Sequence, residues 1–226
     1  LTFSSRLDSE YKRSEKLLFN VLPRSIAKRL KNGESHIIEH FESVTILFVD
    51  LVGFTAAASQ FHPNVLIGKF LCDVFSAWDN LCDVRNMEKI KTIGDSYMAA
   101  GGLPSPTENS IRNTVMAALD MQAFITKRKS ENEAKNKPAF EMRVGIHTGS
   151  VVAGIVGVKK FQYDIWGDSV NTASRMETNG EVGKVNISQS TSEIIKNEPD
   201  LVCVSRGKIE AKGKGEIDMY FVEKRD

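Results

Sequence analysis

Two aspartates, an Asn/Arg pair and a Lys-Gly-Lys-Gly run are the residues of this sequence whose types and spacing could do chemistry. Asp50 ends the uncharged run Val44-Thr-Ile-Leu-Phe-Val, and Asp95 lies in the Gly94-Asp95 pair between two short strand-like stretches. A carboxylate where a buried strand leaves the core can face a cleft, and the Gly53 turn that follows can offer backbone N–H groups to an anion. Each aspartate can equally serve its own turn, a common use of Asp. Asn171 and Arg175 are four residues apart, hence on one face of a helix, which suits either a site or a solvated polar pair. Asp168 ahead of them has the character of an N-cap. Lys212 and Lys214, set between Gly213 and Gly215, fit either a phosphate clamp or a basic hairpin turn.

Composition limits what these residues can be doing. Lys and Arg number 30 against 29 Asp and Glu, and this balance argues against a duplex nucleic-acid binder. No apolar run approaches the roughly 18–20 residues that a membrane span needs. Cys72, Cys82 and Cys203 show no CxxC spacing and fit buried thiols of a reducing cytosol. The four histidines form no HExxH pair, so a zinc site is not expected. The glycine-rich run Gly149–Gly157 lacks both dinucleotide and Walker spacing, leaving close strand packing as its role. The start at Leu1 reads as the beginning of a fragment cut from a longer chain.

The elements that must position these residues follow from periodicity. Residues 1–33 read as a helix-turn-helix lead-in outside the core, broken at Pro23, stopped at Gly33, and continuing an upstream coiled coil. A strand over 44–50 is followed by a helix carrying Ile67, Phe70, Val74, Trp78 and Leu81. A hairpin turns at Gly94-Asp95, a helix carries Ile111, Val115, Ala118 and Ile125, and Phe140–Ile146 alternates as a strand. The order β-α-β-β-α-β is the ferredoxin-like arrangement, which brings Asp50 and Asp95 together at one edge of the sheet. Further strands near 184–187, 201–206 and 217–222 and a helix near 191–196 complete an α/β (α+β) chain with C-terminal additions to that core.

Five segments carry a resemblance: Phe41 through Thr55, Lys89 through Met98, Arg143-Val-Gly-Ile-His-Thr-Gly149, Tyr163 through Glu177, and Lys212-Gly-Lys-Gly215. Together, and in this order, they resemble the catalytic domain of class III nucleotidyl cyclases, the adenylyl and guanylyl cyclases, over about residues 14–223. The lead-in Glu15-Lys-Leu-Leu-Phe-Asn-Val-Leu-Pro23 is similar to the linker that joins a dimeric coiled coil to the guanylyl cyclase core. The frame as a whole resembles the fungal rhodopsin-guanylyl cyclases. The resemblance implies residues 1–35 as a helical linker and 36–226 as a cytoplasmic catalytic domain, tethered to the membrane through an upstream sensor.

It also implies roles. Asp50 and Asp95, with the carbonyl of Leu51, match the ligands of two Mg²⁺ or Mn²⁺ ions that activate the ribose 3′-hydroxyl. Backbone N–H groups at Gly53, Phe54 and Thr55 meet the terminal phosphates, and Lys212, rather than Lys214, holds the β- and γ-phosphates. Asn171 orients the ribose, and Arg175 stabilises charge on the α-phosphate. In such enzymes the metal side comes from one chain and Lys91, Asp164, Asn171, Arg175 and Lys212 from another. This chain carries both sets, which implies a homodimer with two symmetric sites and no nucleic-acid partner.

One departure from the guanylyl pattern decides the expected substrate. Guanylyl cyclases of this type carry Glu and Cys at the base-reading positions, where this chain has Lys91 and Asp164. Adenine presents an acceptor at N1 and a donor at its 6-amino group, which Lys91 and Asp164 complement; guanine reverses both. The expectation is therefore ATP as substrate and 3′,5′-cyclic AMP as product, with GTP the alternative.

Overall fold

The uncharged run into Asp50 is the centre of a longer strand, β1, Ile38–Val52. The structure is a computed structural model and describes residues 3–225. The hairpin strands β2 (Met87–Ile93) and β3 (Ser96–Gly101) follow, then β4 (Glu141–Ile155), β5 (Tyr163–Trp166), β6 (Val185–Ser188), β7 (Leu201–Ala211) and β8 (Gly215–Lys224). They form one sheet in the order β2-β3-β1-β4-β6-β8-β7, with β5 paired to β4. Its first four members keep the ferredoxin-like order expected from the sequence. The glycine-rich run belongs to β4, which extends past the anticipated end at Ile146.

Alternation along β1 gives each face of the sheet its own core. Leu47, Val49 and Leu51 pack with Val74 and Trp78 of α5 (Cys72–Val84) and with Val115 and Ile125 of α6 (Ser110–Glu133). Ile46, on the opposite face, packs with Met98, Val151 and Ala173 of α7 (Asp168–Thr178). Asp50 shares the parity of Ile46, so it belongs to the α7 face.

Three expectations change. The lead-in forms α1 (Phe3–Val21) and α2 (Arg24–Lys31), but its second half is not outside the core. Leu22, Ile26 and Ala27 are buried in the cluster that contains Ile46, Met98 and Ala173 of the α7 face. Ile26→Ala should therefore cost about 2–5 kcal/mol in chemical denaturation, the usual range for an apolar truncation in a core; an unchanged midpoint would remove α2 from the core. Second, the helix after β1 does not run evenly. It begins as α4 (Pro63–Val65), passes through a π-helical turn over Leu66–Leu71 and becomes α5. The wider turn rotates Ile67 out of the core, leaving it 54% exposed while Phe70 stays buried. Third, only Cys82 is a buried thiol; Cys72 is exposed and Cys203 half-buried.

Close packing at Gly145 positions α7. A Cβ there would lie 1.9 Å from the backbone N of Glu177, so only glycine admits the helix this close to β4. Asn186 Nδ2 donates to Met176 O at 2.8 Å and pins the same end of the helix.

Candidate active site

The hairpin turn Gly94-Asp95 delivers the second carboxylate to the first. Gly94 takes the left-handed conformation at φ +62°, which closes a two-residue turn, and Ser96 then pairs directly with Asp50 across β1 and β3. The two aspartates meet at the ends of two interior strands, not at an edge of the sheet; β2 is the edge. Ser96 Oγ donates to Asp50 Oδ1 at 2.9 Å. Burial pushes the Asp95 carboxyl above its ordinary value, a backbone hydrogen bond opposes this, and the charge of Asp50 adds to the rise. The carboxylates are thus within electrostatic reach of each other.

Gly53 follows β1 at φ +81° and begins the single turn α3 (Phe54–Ala57). The first N–H groups of such a turn have no intrahelical acceptor. The Phe54 ring is buried against Phe140, 5.4 Å between centroids, and this anchors the turn while Thr55 stays exposed. The Leu51 side chain is buried in the α5/α6 core, so only its main chain can contribute to the cleft.

Lys91 and Asp164, 73 residues apart in sequence, are brought into contact. Lys91 pairs with Met98 and so lies on the α7 face, where β5 presents Asp164. Lys91 Nζ is 2.6 Å from Asp164 Oδ2, and Asp164 Oδ1 accepts from the Ile165 N–H at 2.8 Å. The pair is 31% and 14% exposed, so it is largely withdrawn from water without being sealed.

Helix α7 begins at Asp168, with Gly167 rather than Asp168 as the N-cap. The Asp168 carboxylate instead holds Lys214 in the β7–β8 turn. That leaves Lys212, exposed on the same turn, as the lysine without a side-chain partner among the described residues. Asn171 is exposed and Arg175 half-buried, and neither side chain has a partner among the described residues. Arg175 and Glu177 are two apart, about 200° around the helix, so they point in nearly opposite directions. Glu177 faces β4, where its Oε1 lies 3.1 Å from Arg143 Nε. Arg175 therefore turns away from the Asp50 of its own chain.

Arg143 is the neighbour of Asp50 that sequence reasoning left without a role. It pairs with Asp50 in the β1–β4 register, and its guanidinium lies 3.4 Å from Asp50 Oδ2. The signal was present: Arg143 is a charge flanked by Met142 and Val144 on an otherwise apolar strand. What the sequence lacked was the register that sets it opposite Asp50.

Comparison with known proteins gives one answer for the family and two for the base. The family model described as "Adenylate and Guanylate cyclase catalytic domain" matches residues 37–224. An adenylate cyclase of Mycobacterium tuberculosis is 42% identical over 217 residues, covering 96% of this chain and 47% of the relative. The soluble guanylate cyclase subunit beta-2 of Rattus norvegicus is 41% identical over 219 residues, covering 97% of this chain and 31% of that protein. The chain thus spans about half or less of the length of these curated relatives. A guanylyl cyclase domain of the RhoGC fusion protein from the aquatic fungus Blastocladiella emersonii, described as a non-canonical dimer, superposes with a TM-score of 0.73 at 28% identity, over 83% of this chain and 99% of that one. No helix among the described residues is long and apolar enough to cross a membrane. With a family match over most of its length and the matching mixed sheet, this chain belongs to the class III nucleotidyl cyclases, the family of adenylate and guanylate cyclase catalytic domains.

Proposed function

We propose that the chain is an adenylyl cyclase domain that converts ATP to 3′,5′-cyclic AMP and pyrophosphate at sites shared between two copies. The observation that carries the choice of base is the Lys91–Asp164 contact at 2.6 Å. An ammonium paired with a carboxylate has a fixed polarity: Lys91 can only donate and Asp164 can only accept. Two N–H groups of Lys91 and free lone pairs on Asp164 remain for a ligand. Adenine N1 and its 6-amino group satisfy that polarity, whereas guanine would oppose a donor to Lys91 and an acceptor to Asp164.

The metal side fits a hard divalent cation. Asp50, Asp95 and the Leu51 carbonyl are all oxygen donors. No group of three or more acidic, His or Cys side chains is gathered for a metal among the described residues. One or two carboxylates together with substrate phosphates and several waters is the usual arrangement for Mg²⁺. Asp50, Asp95 and the Leu51 carbonyl would hold such ions, whose chemistry would be activation of the 3′-hydroxyl and neutralisation of the triphosphate. The chain's own residues do the rest: Asn171 orients the ribose, Arg175 meets the charge developing on the α-phosphate, and Lys212 with the Gly53–Thr55 N–H groups holds the leaving pyrophosphate. Because Arg175 points away from its own Asp50, the two halves of a site come from two chains.

Incubation with ATP or GTP and Mn²⁺, followed by product identification, tests the reading. Cyclic AMP and pyrophosphate are expected. Linear products, or faster turnover of GTP, would sink it. The similarity to the rat guanylate cyclase subunit supports GTP as the second reading, and the same assay separates the two. Lys212→Ala should lower kcat/KM about 10²-fold and Lys214→Ala much less; equal losses would reassign the phosphate lysine.

A further inference from the structure

Arg143 lies between two carboxylates, one of which has no part in the proposed reaction. Its guanidinium is 3.4 Å from Asp50 Oδ2 on one side, and its Nε is 3.1 Å from Glu177 Oε1 on the other. Glu177 is 13% exposed, a costly place for a carboxylate without a purpose or a partner. It is held there firmly. The close approach at Gly145 fixes its backbone, Asn186 binds the carbonyl before it, and Arg206 donates to Asn179 O at 2.8 Å just beyond. Its contact with Arg143 is nonetheless an ion pair without hydrogen-bond geometry, and both atoms are buried and otherwise unpartnered. Arg143 Nη2 meanwhile donates to Asp50 Oδ2 at 3.4 Å, so the guanidinium is shared between the two carboxylates, hydrogen-bonded to Asp50 and ion-paired with Glu177.

We infer that Glu177 is a positioning residue for the metal carboxylate: it takes up the charge of Arg143 and so keeps Asp50 available to a divalent cation. The inference rests on the proposed metal role of Asp50. Without Glu177, the nearest anion to Arg143 is Asp50, and a cation must then displace a full guanidinium from its own ligand. Burial pushes the Glu177 carboxyl above its ordinary value, and the charge of Arg143 opposes part of that rise. A further consequence follows from the two-chain site. Glu177 lies on the helix that carries Asn171 and Arg175, so Arg143 and Glu177 join the metal side of one site to the ribose side of the other.

The test is Mn²⁺ binding to the dimer, followed by the electron paramagnetic resonance signal of free Mn²⁺, alongside turnover. Glu177→Gln should raise the Mn²⁺ Kd about fivefold to tenfold while kcat at saturating Mn²⁺ stays within about twofold. In an Arg143→Gln background the same substitution should change the Kd less than about twofold, because its route is gone. An unchanged Kd in Glu177→Gln would overturn the inference. So would a full effect that persists without Arg143, since Glu177 would then be only a distant negative charge. Asp50→Ala separates the two levels: if it weakens Mn²⁺ binding but Glu177→Gln does not, only the inference falls. If neither does, the metal reading falls with it.

Discussion

Mixed in equal amounts, Asp50→Ala and Arg175→Ala chains should recover about a quarter of wild-type cyclic AMP production, although each alone is silent. The fraction follows from geometry. Random pairing makes about half of the dimers mixed. In a mixed dimer one site combines both lesions, and the other combines an intact metal side from the Arg175→Ala chain with an intact α7 from the Asp50→Ala chain. Each variant alone should lose about 10³-fold or more in kcat, since one lacks a carboxylate for the cations and the other the donor that meets charge at the α-phosphate. Both side chains are partly exposed and lie outside the apolar clusters, so the fold should survive either change.

The structural basis is the direction of one helix. Glu177 faces Arg143 and Asp50 of its own chain, and the residue two positions earlier faces away. Asn171, four residues before Arg175, shares the outward face and is exposed in the single chain. A site completed within one chain would require α7 to turn about its axis, which would carry Ala173 and Met176 out of their buried clusters. Initial rates after chain exchange, with heterodimers verified by differential tags, are the measurement. Verified heterodimers with no activity would refute the shared site.

How much of this could be read from the sequence depended on what kind of signal each element leaves. The run into Asp50 and the Gly94-Asp95 turn are short-range patterns, and they placed both carboxylates on adjoining strand ends. The lead-in reads as solvated because Ile26 and Ala27 sit among Arg24, Lys28, Arg29 and Lys31, and only the tertiary packing shows Leu22, Ile26 and Ala27 in a buried cluster. The π-helical turn left no periodic mark that would have moved Ile67 outward. Asp168 has the composition of an N-cap, but Lys214, 46 residues later, competes for its carboxylate. Arg143 and Glu177 were legible only as charges. Their meaning depends on strand register and on a helix brought close by a glycine, and both are tertiary facts.

The Lys91–Asp164 contact sharpens what a change of base specificity requires. The double variant Lys91→Glu, Asp164→Cys should move the preference from ATP to GTP, with a change in the ratio of kcat/KM values of about 10²-fold or more. The single variants should not be intermediate. Lys91→Glu sets a second carboxylate against Asp164, itself only 14% exposed, and like charges there disorder the pocket for either nucleotide. Asp164→Cys strands the Lys91 ammonium, still a donor, opposite guanine N1–H. Each single variant should therefore lose ATP turnover without gaining GTP turnover, and only the double variant should recover activity. Additive shifts in the two singles would show that Lys91 and Asp164 read the base independently. A double variant that remained selective for ATP would show that they do not read it at all. The coupling is expected because the residues already satisfy each other at 2.6 Å, so neither can change its hydrogen-bonding polarity while the other keeps its own.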